Sequence, residues 1–301
     1  MKKWFVTSDI HGFYNEFING LNKAGFDIDN PEHILIICGD IFDRGPDPLG
    51  VYNFLRSLPK DRRILIRGNH EYLLNDLVKR KYAYSSDEHN GTLDTLYKIN
   101  GYKDSFWHLR NLELFKKGIH IGTPEFDKIM DKWQVEYLKL YTSRKIKKIL
   151  NWINSDEWVN YYELGNYIFV HSFIPLDHGQ DTEDTKYRSD WRNANQVDWE
   201  DATWGCPWKY FKDGLFHEEI KNNKVLVCGH WHASDFYNNL IYENNSDKWL
   251  DLMKDNPIFT SKNLIALDAC TAATKGINVL VIDEDMAIKT YNHNNIDDKY
   301  E

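Results

Sequence analysis

A short apolar run that ends in a metal-type donor recurs five times in this chain. The runs are Val6-Thr7-Ser8-Asp9-Ile10-His11, Ile36-Ile37-Cys38-Gly39-Asp40, Ile64-Leu65-Ile66-Arg67-Gly68-Asn69-His70, Ile168-Phe169-Val170-His171 and Val225-Leu226-Val227-Cys228-Gly229-His230-Trp231-His232. A buried strand holds its end in a fixed place, so five strand ends can aim donors that are far apart in sequence at one point. In open α/β folds that edge is where ligands bind. The donors are two Asp, one Asn and four His, with His232 as a further candidate; imidazole with carboxylate selects Mn, Fe or Zn over Ca. Any one of these residues alone would read as a turn residue or an N-cap. Five in series, four of them with Gly next to or near the donor where the backbone must leave a strand sharply, read as a metal site.

The same residues carry a family resemblance. Asp9-Ile10-His11-Gly12, Gly39-Asp40-Ile41-Phe42-Asp43-Arg44-Gly45, Gly68-Asn69-His70-Glu71, the His171 strand end and Gly229-His230 resemble the ordered motifs of the calcineurin-like metallophosphoesterases. The Asp-Arg-Gly ending of the second motif and the Gly-Asn-His-Glu form of the third resemble the branch of PPP-type serine/threonine phosphatases. That branch includes small bacterial and phage phosphatases and symmetrical diadenosine tetraphosphatases. The resemblance covers roughly residues 1 to 71, 165 to 175 and 224 to 283.

Position by position, the resemblance implies that Asp9 and His11 hold one divalent metal, that Asn69, His171 and His230 hold a second, and that Asp40 bridges both. Two such cations would lower the pKa of a shared water and bind phosphoryl oxygens during in-line displacement. His70 matches the general acid that protonates the leaving group, and Asp43 the carboxylate that orients it. Arg44 matches the phosphate clamp, since a planar guanidinium can hold two oxygens at once. Many relatives outside the PPP branch end in Gly-His-x-His and use the second His as a ligand. His232 stands at that position, and the readings of a metal ligand and of a role outside the cluster both stay open. Ser172 replaces the Gly or Ala common after the fourth-motif His. Arg188 and Arg192 are the candidates for a further clamp residue.

From residue 1 to 69 the pattern reads β-α-β-α-β: strand Lys3 to Thr7, helix near Tyr14 to Ala24, strand His33 to Cys38, helix near Pro48 to Ser57, strand Arg63 to Arg67. Such alternation favours parallel pairing with right-handed crossovers. From about 72 to 164 the spacing turns helical and rich in Lys, Tyr and Trp, a helical insertion whose aromatics are expected to pack in the core. Residues of about 176 to 216 read as a long loop with Trp191, Trp199, Trp204 and Trp208 interleaved among acidic residues, expected to overhang the site. The runs Asn263 to Ala272 and Gly276 to Asp283 alternate like strands, and by the resemblance form a closing hairpin of a second sheet. The tail from Asn292 is polar. The expected architecture is a four-layer α/β/β/α sandwich in one domain, residues 1–301.

With 301 residues, 42% of them hydrophobic, the chain can bury a sizeable core. A net charge of -9 argues against a nucleic-acid partner, whose footprint is normally basic. Four cysteines do not make a disulfide scaffold, Cys38 and Cys228 lying inside apolar strands. That usage, and an N-terminal apolar run too short for a signal peptide, point to a cytoplasmic protein. No run is long enough to span a membrane.

The reading is therefore a hydrolase using two divalent metals, with Mn preferred and Fe or Zn compatible. Its expected substrate is a phosphorylated protein or small phosphoester, and its expected role a serine/threonine protein phosphatase. The alternative is hydrolysis of dinucleoside polyphosphates or other nucleotides, which would need aromatic platforms in a longer groove. A non-enzymatic scaffold would be expected to have lost ligands, and here all six family ligands and His70 stand.

Overall fold

The computed structural model describes residues 1–103, 106–178, 184–242 and 245–292. The runs that alternate in sequence become strands whose two faces enter different layers. β1 (Lys3–Thr7), β2 (His33–Cys38), β3 (Arg63–Ile66) and β4 (Trp158–Val159) pair in parallel. Between β4 and the rest of that sheet's strands, the chain builds the whole of a second sheet. This sheet contains β5 (Tyr162–Leu164), β6 (Tyr167–Phe169), β9 (Val225–Cys228), β10 (Phe259–Thr260) and β11 (Leu264–Ala266), after a small separate ribbon of β7 (Leu176–Asp177) and β8 (Lys186–Tyr187). β12 (Val279–Asp283) and β13 (Ile288–Tyr291) return to the first sheet, β12 antiparallel beside β1. The orders are β13-β12-β1-β2-β3-β4 and β10-β11-β9-β6-β5, both mixed.

Trp4, Val6, Ile34, Ile36 and Cys38 of the first sheet meet Tyr167, Phe169, Val225 and Val227 of the second in one buried cluster. The period-2 partners Phe5, Leu35, Ile37 and Leu65 face the other way, into helices. Those helices are α1 (Tyr14–Lys23), α2 (Pro48–Ser57), α3 (Asn69–Arg80), α4 (Ser85–His89), α5 (Thr92–Asn100), α6 (Phe106–Lys117), α7 (Pro124–Tyr141) and α8 (Arg144–Ile153). The outer face of the second sheet, with Ile168, Leu226 and Cys228, packs against Trp191, Trp199, Phe216 and Phe236. The result is the α/β/β/α sandwich expected from the motifs, and the first five elements match their expected bounds to within a residue.

Two expectations change. The runs 263–272 and 276–283 do not form a hairpin with each other: β11 lies in the second sheet, parallel to β9, and β12 in the first, with β13 as its hairpin partner. Alternation reports that a strand has two different faces, and both sheets offer that environment. The segment 176–216, read as a long loop, contains β7, β8, α9 (Gln196–Ala202) and α10 (Pro207–Lys212), while its residues 179–183 lie outside the described set. Asn195 caps α9 by accepting from the amides of Val197 and Asp198, and Pro207 begins α10. Trp191 and Trp199 are buried, so they staple this segment to the sheet. The polar tail falls outside the described residues beyond Asn292. No helix among the described residues is long and apolar enough to cross a membrane.

Candidate metal centre

Parallel strands point their C-terminal ends the same way, and at these ends the chain must turn at once to present its donors. Asp9, His11, Asp40, Asp43, Arg44 and His230 all adopt positive φ, between 50° and 73°. Such conformations are costly for residues with a Cβ and persist where the surroundings over-determine them. Main-chain bonds supply part of that constraint: the amides of Asp9 and His11 donate to the carbonyls of Gly39 and Asp40, and Gly229 N–H donates to His171 O. Side chains supply more. Asp9 Oδ2 accepts from the amide of His230 at 3.0 Å, and Asp40 Oδ1 from that of His70 at 3.0 Å.

Glu71, whose place in its motif gave no hint of a role, is fully buried and accepts three amides: Gly68 at 2.8 Å, Asp40 at 3.0 Å and Ile41 at 3.0 Å. It ties the turn after β2 to the start of α3. Burial first, and then the neighbouring Asp40, push its carboxyl up to about 8 against the pull of those three amides.

At the centre lies Asp40. Its Oδ2 is 3.4 Å from His171 Nε2 and 3.8 Å from both His11 Nε2 and His70 Nε2. Two groups of possible ligands share it: His11, Asp40 and His70, and Asp40, His171 and His230. His11 Nδ1–H donates to Phe42 O at 2.9 Å and His171 Nδ1–H to Cys38 O at 2.8 Å. A carbonyl only accepts, so each ring turns an Nε2 lone pair inward. His70 differs, with Nδ1–H on the carboxylate of Asp43 at 2.5 Å. Asn69 Oδ1 meets His171 Nε2 at 2.8 Å.

The charges suit a cation. Burial, reinforced by Asp268 and Asp40, raises the Asp9 carboxyl well above the usual range. For Asp40, burial pulls in the same direction, but His171, His70, His11 and His230 outweigh it and hold the carboxyl below that range. Burial lowers His11, helped by His70 and Arg44, and lowers His230 to about 3, helped by His171, leaving neutral rings that can ligate. Burial also opposes charge on His70, but Asp40 and the bond to Asp43 prevail and its pKa rises. Buried carboxylates, an amide oxygen and inward lone pairs converging in this way fit divalent cations, and the shared Asp40 fits two of them.

The remaining candidates divide. Arg44 reaches over the cluster, with Nη1 2.9 Å from His11 Nε2 and Nη2 3.4 Å from His70 Nε2. His232 belongs to neither ligand group; its ring stands 3.9 Å from Asp235, and its pKa rises to about 9 because a hydrogen bond to Cys270 and the charge of Asp268 overcome its burial. The clamp candidates Arg188 and Arg192 are engaged by carboxylates, Arg188 by Asp190 and Asp198 and Arg192 by Glu163 and Glu219. Ser172 donates to Gly205 O at 2.9 Å, and Trp231 Nε1–H to the same oxygen at 3.0 Å. These bonds fix the turn carrying Trp204, whose indole is 49% exposed and stands edge-on to His230 at 6.1 Å between ring centroids. Trp208 packs against Trp231 within the outer layer.

A family model described as calcineurin-like phosphoesterase matches residues 3–234. Over 174 residues the chain is 31% identical to a protein of Buchnera aphidicola subsp. Schizaphis graminum named bis(5'-nucleosyl)-tetraphosphatase, symmetrical, a match that covers 53% of this chain and 59% of that relative. Over 78 residues it is 36% identical to serine/threonine-protein phosphatase 1 of Salmonella typhimurium, covering 25% of this chain and 34% of the relative. Less than two thirds of either relative's length is therefore spanned. Among solved structures, a mutant of a cold-active protein tyrosine phosphatase superposes with a TM-score of 0.50 at 16% identity, covering 96% of this chain and 80% of that one. At that identity the likeness concerns the fold.

Proposed function

The chain belongs to the calcineurin-like phosphoesterases, and on that premise we propose that it hydrolyses dinucleoside polyphosphates at a dinuclear metal site. Asp9, His11 and Asp40 would hold one cation, and Asp40, Asn69, His171 and His230 the other. Divalent cations held there would supply Lewis acidity, lowering the pKa of a water and offsetting charge on phosphoryl oxygens.

The chain's own side chains divide the remaining work. Arg44 offers two N–H groups to non-bridging oxygens in place of the imidazoles it now touches. His70 gives a proton from Nε2 to the departing oxygen, while its Nδ1–H stays on Asp43. Asp40, already held against the His70 amide, would lend its carboxylate to both groups of ligands.

The observation that favours a nucleotide is Trp204. A large, half-exposed aromatic residue 6.1 Å between ring centroids from His230, on a turn held by Ser172 and Trp231, offers a base a surface at the rim of the centre. Stacking of a base on such a face contributes about 1–3 kcal/mol. The symmetrical tetraphosphatase from Buchnera, similar over more than half of this chain, supports the same substrate class. A second reading, a PPP-type serine/threonine protein phosphatase, is supported by the Salmonella relative, while the Asp43-Arg44-Gly45 and Gly68-Asn69-His70-Glu71 motifs are compatible with both.

The test is hydrolysis by metal-stripped protein reloaded with Mn, across diadenosine tetraphosphate, a phosphoserine peptide and p-nitrophenyl phosphate. Preference for the dinucleotide supports the proposal, and preference for the peptide replaces it with the second reading. No turnover on any of the three, with metal bound, points to a binding scaffold.

A further inference from the structure

The loop of Asp43, Arg44 and Gly45 carries two of the groups that would handle the substrate, yet it makes a poor platform on its own. Asp43 and Arg44 are consecutive residues in the left-handed region, at φ 73° and 62°. Asp43 is buried, and its Oδ1 has no hydrogen-bond partner. Rotation of that carboxylate is therefore governed by what its Oδ2 meets. One partner is His70 Nδ1–H at 2.5 Å, and the other is Thr92 Oγ1–H at 2.7 Å.

Thr92 is the first residue of α5, in the helical segment between the third and fourth motifs. Three residues on, Thr95 Oγ1 accepts the amide of Asp43 at 2.9 Å. Three further on, Lys98 Nζ donates to Arg44 O at 3.2 Å and Gly45 O at 2.9 Å. Positions i, i+3 and i+6 run along one face of a helix, so a single surface grips the loop at three successive points. Gly91, just before α5, lets the helix start against the loop: a Cβ there would stand 2.5 Å from Arg44 N.

We infer that this face of α5 positions the site, Thr92 fixing the Asp43 carboxylate and through it the His70 ring, and Lys98 fixing the backbone from which Arg44 reaches the phosphate. The helical segment then contributes to turnover through residues that touch neither metal nor substrate. Thr92 and Lys98 act on different steps: Thr92 bears on proton delivery and hence on kcat, Lys98 on phosphate binding and hence on KM.

The inference rests on His70 as the proton donor and Arg44 as the clamp, so the experiment separates its failure from theirs. Wild type, T92V, T92S, K98M and H70A would be assayed with Mn on phenyl phosphate, whose leaving group needs a proton, and on p-nitrophenyl phosphate, whose leaving group hardly does. In parallel, the His70 Nδ1–H resonance would be followed by NMR in the metal-free chain. T92V is expected to lower kcat on phenyl phosphate about ten-fold, a share of what general acid catalysis typically contributes, with little change in KM or on the nitrophenyl ester. Its His70 proton should move, and T92S should restore both. K98M should raise KM several-fold and leave that proton in place. The inference is overturned if T92V leaves kcat and the resonance as in wild type, or if T92S fails to restore them. Should T92V not fold, the K98M effect on KM decides, and an unchanged KM overturns the inference. If H70A shows no dependence on the leaving group, the proton-donor reading falls, and the His70 resonance alone then decides whether Thr92 positions the ring.

Discussion

Gly68→Ala tests whether the turn glycines serve the ligands or only the backbone. Gly68 has φ -102° and ψ 175°, a conformation open to any residue, so alanine would add no backbone strain there. What it would add is a methyl group 2.1 Å from Asp40 Oδ1 and 2.7 Å from Asp40 N. Ordinary contact begins at 3.4 Å, so the carboxylate must withdraw by about 1.3 Å. Its Oδ1 now takes the His70 amide at 3.0 Å, and a move of that size breaks the bond. A lost hydrogen bond to a charged group costs about 1.5–3 kcal/mol, and overpacking about 1–3 kcal/mol. Together that is about 2.5–6 kcal/mol, or a fall in Tm of about 5–12 °C at roughly 2 °C per kcal/mol for a chain of this size. Activity should suffer more, because a misplacement of about 1 Å can remove 10²-fold in rate. The assays are thermal unfolding of the metal-free chain, metal content after reloading, and turnover with Mn. A G68A protein that binds two metals and keeps more than about a tenth of the wild-type rate would refute the idea that Gly68 is there to admit Asp40.

Three other outcomes follow from the same structure. Asp40→Asn removes the carboxylate common to both ligand groups and should abolish Mn-dependent turnover, with metal content read by mass spectrometry; two tightly held metals in D40N would contradict its shared position. Trp204→Ala should raise KM for diadenosine tetraphosphate by about five-fold or more, given about 1–3 kcal/mol for a stacked base, and leave p-nitrophenyl phosphate within about two-fold; equal effects on both would remove the stacking role. Away from the metals, Glu157 joins Arg56, Arg63, Lys60 and the Trp152 indole. Burial alone would raise its pKa, but Arg63, Lys60 and Trp152 bring the carboxyl from 4.5 down to about 2. Because the folded-state value is depressed, this stability is present above pH 4.5 and is lost as the pH falls toward 2. Discounted for solvent screening, it amounts to about 1–2 kcal/mol. Urea unfolding of E157Q should show that deficit at pH 7 and a shrinking one below pH 4, whereas a pH-independent difference would refute the assignment.

The sequence revealed the strand ends well because each is a local signal, an apolar run and a donor within a few residues, in four of the five with a glycine beside them, as at Cys38-Gly39-Asp40. That signal carries the direction of the chain as well as its polarity, and parallel strands turn shared direction into a shared edge. What it does not carry is which sheet a strand joins, since Val279 to Asp283 would alternate identically in either sheet, and the structure pairs it with β1. The tryptophans failed as a guide for a related reason. Trp191, flanked by Asp190 and Arg192, is buried under the outer layer, whereas Trp204, between Thr203 and Gly205, stands open beside His230, so polarity of the flanking sequence does not report burial. Least legible were Glu71, Thr92, Thr95 and Lys98. A buried acid that collects three amides, or a helix face that grips a loop some fifty residues upstream, has no periodicity of its own. Its meaning exists only once the left-handed turns at Asp40, Asp43 and Arg44 are in place and need holding. The candidate metal ligands are therefore legible and their supports are not: ligand chemistry restricts the residue types at the first, whereas at the second any hydrogen-bonding side chain of the right length could serve.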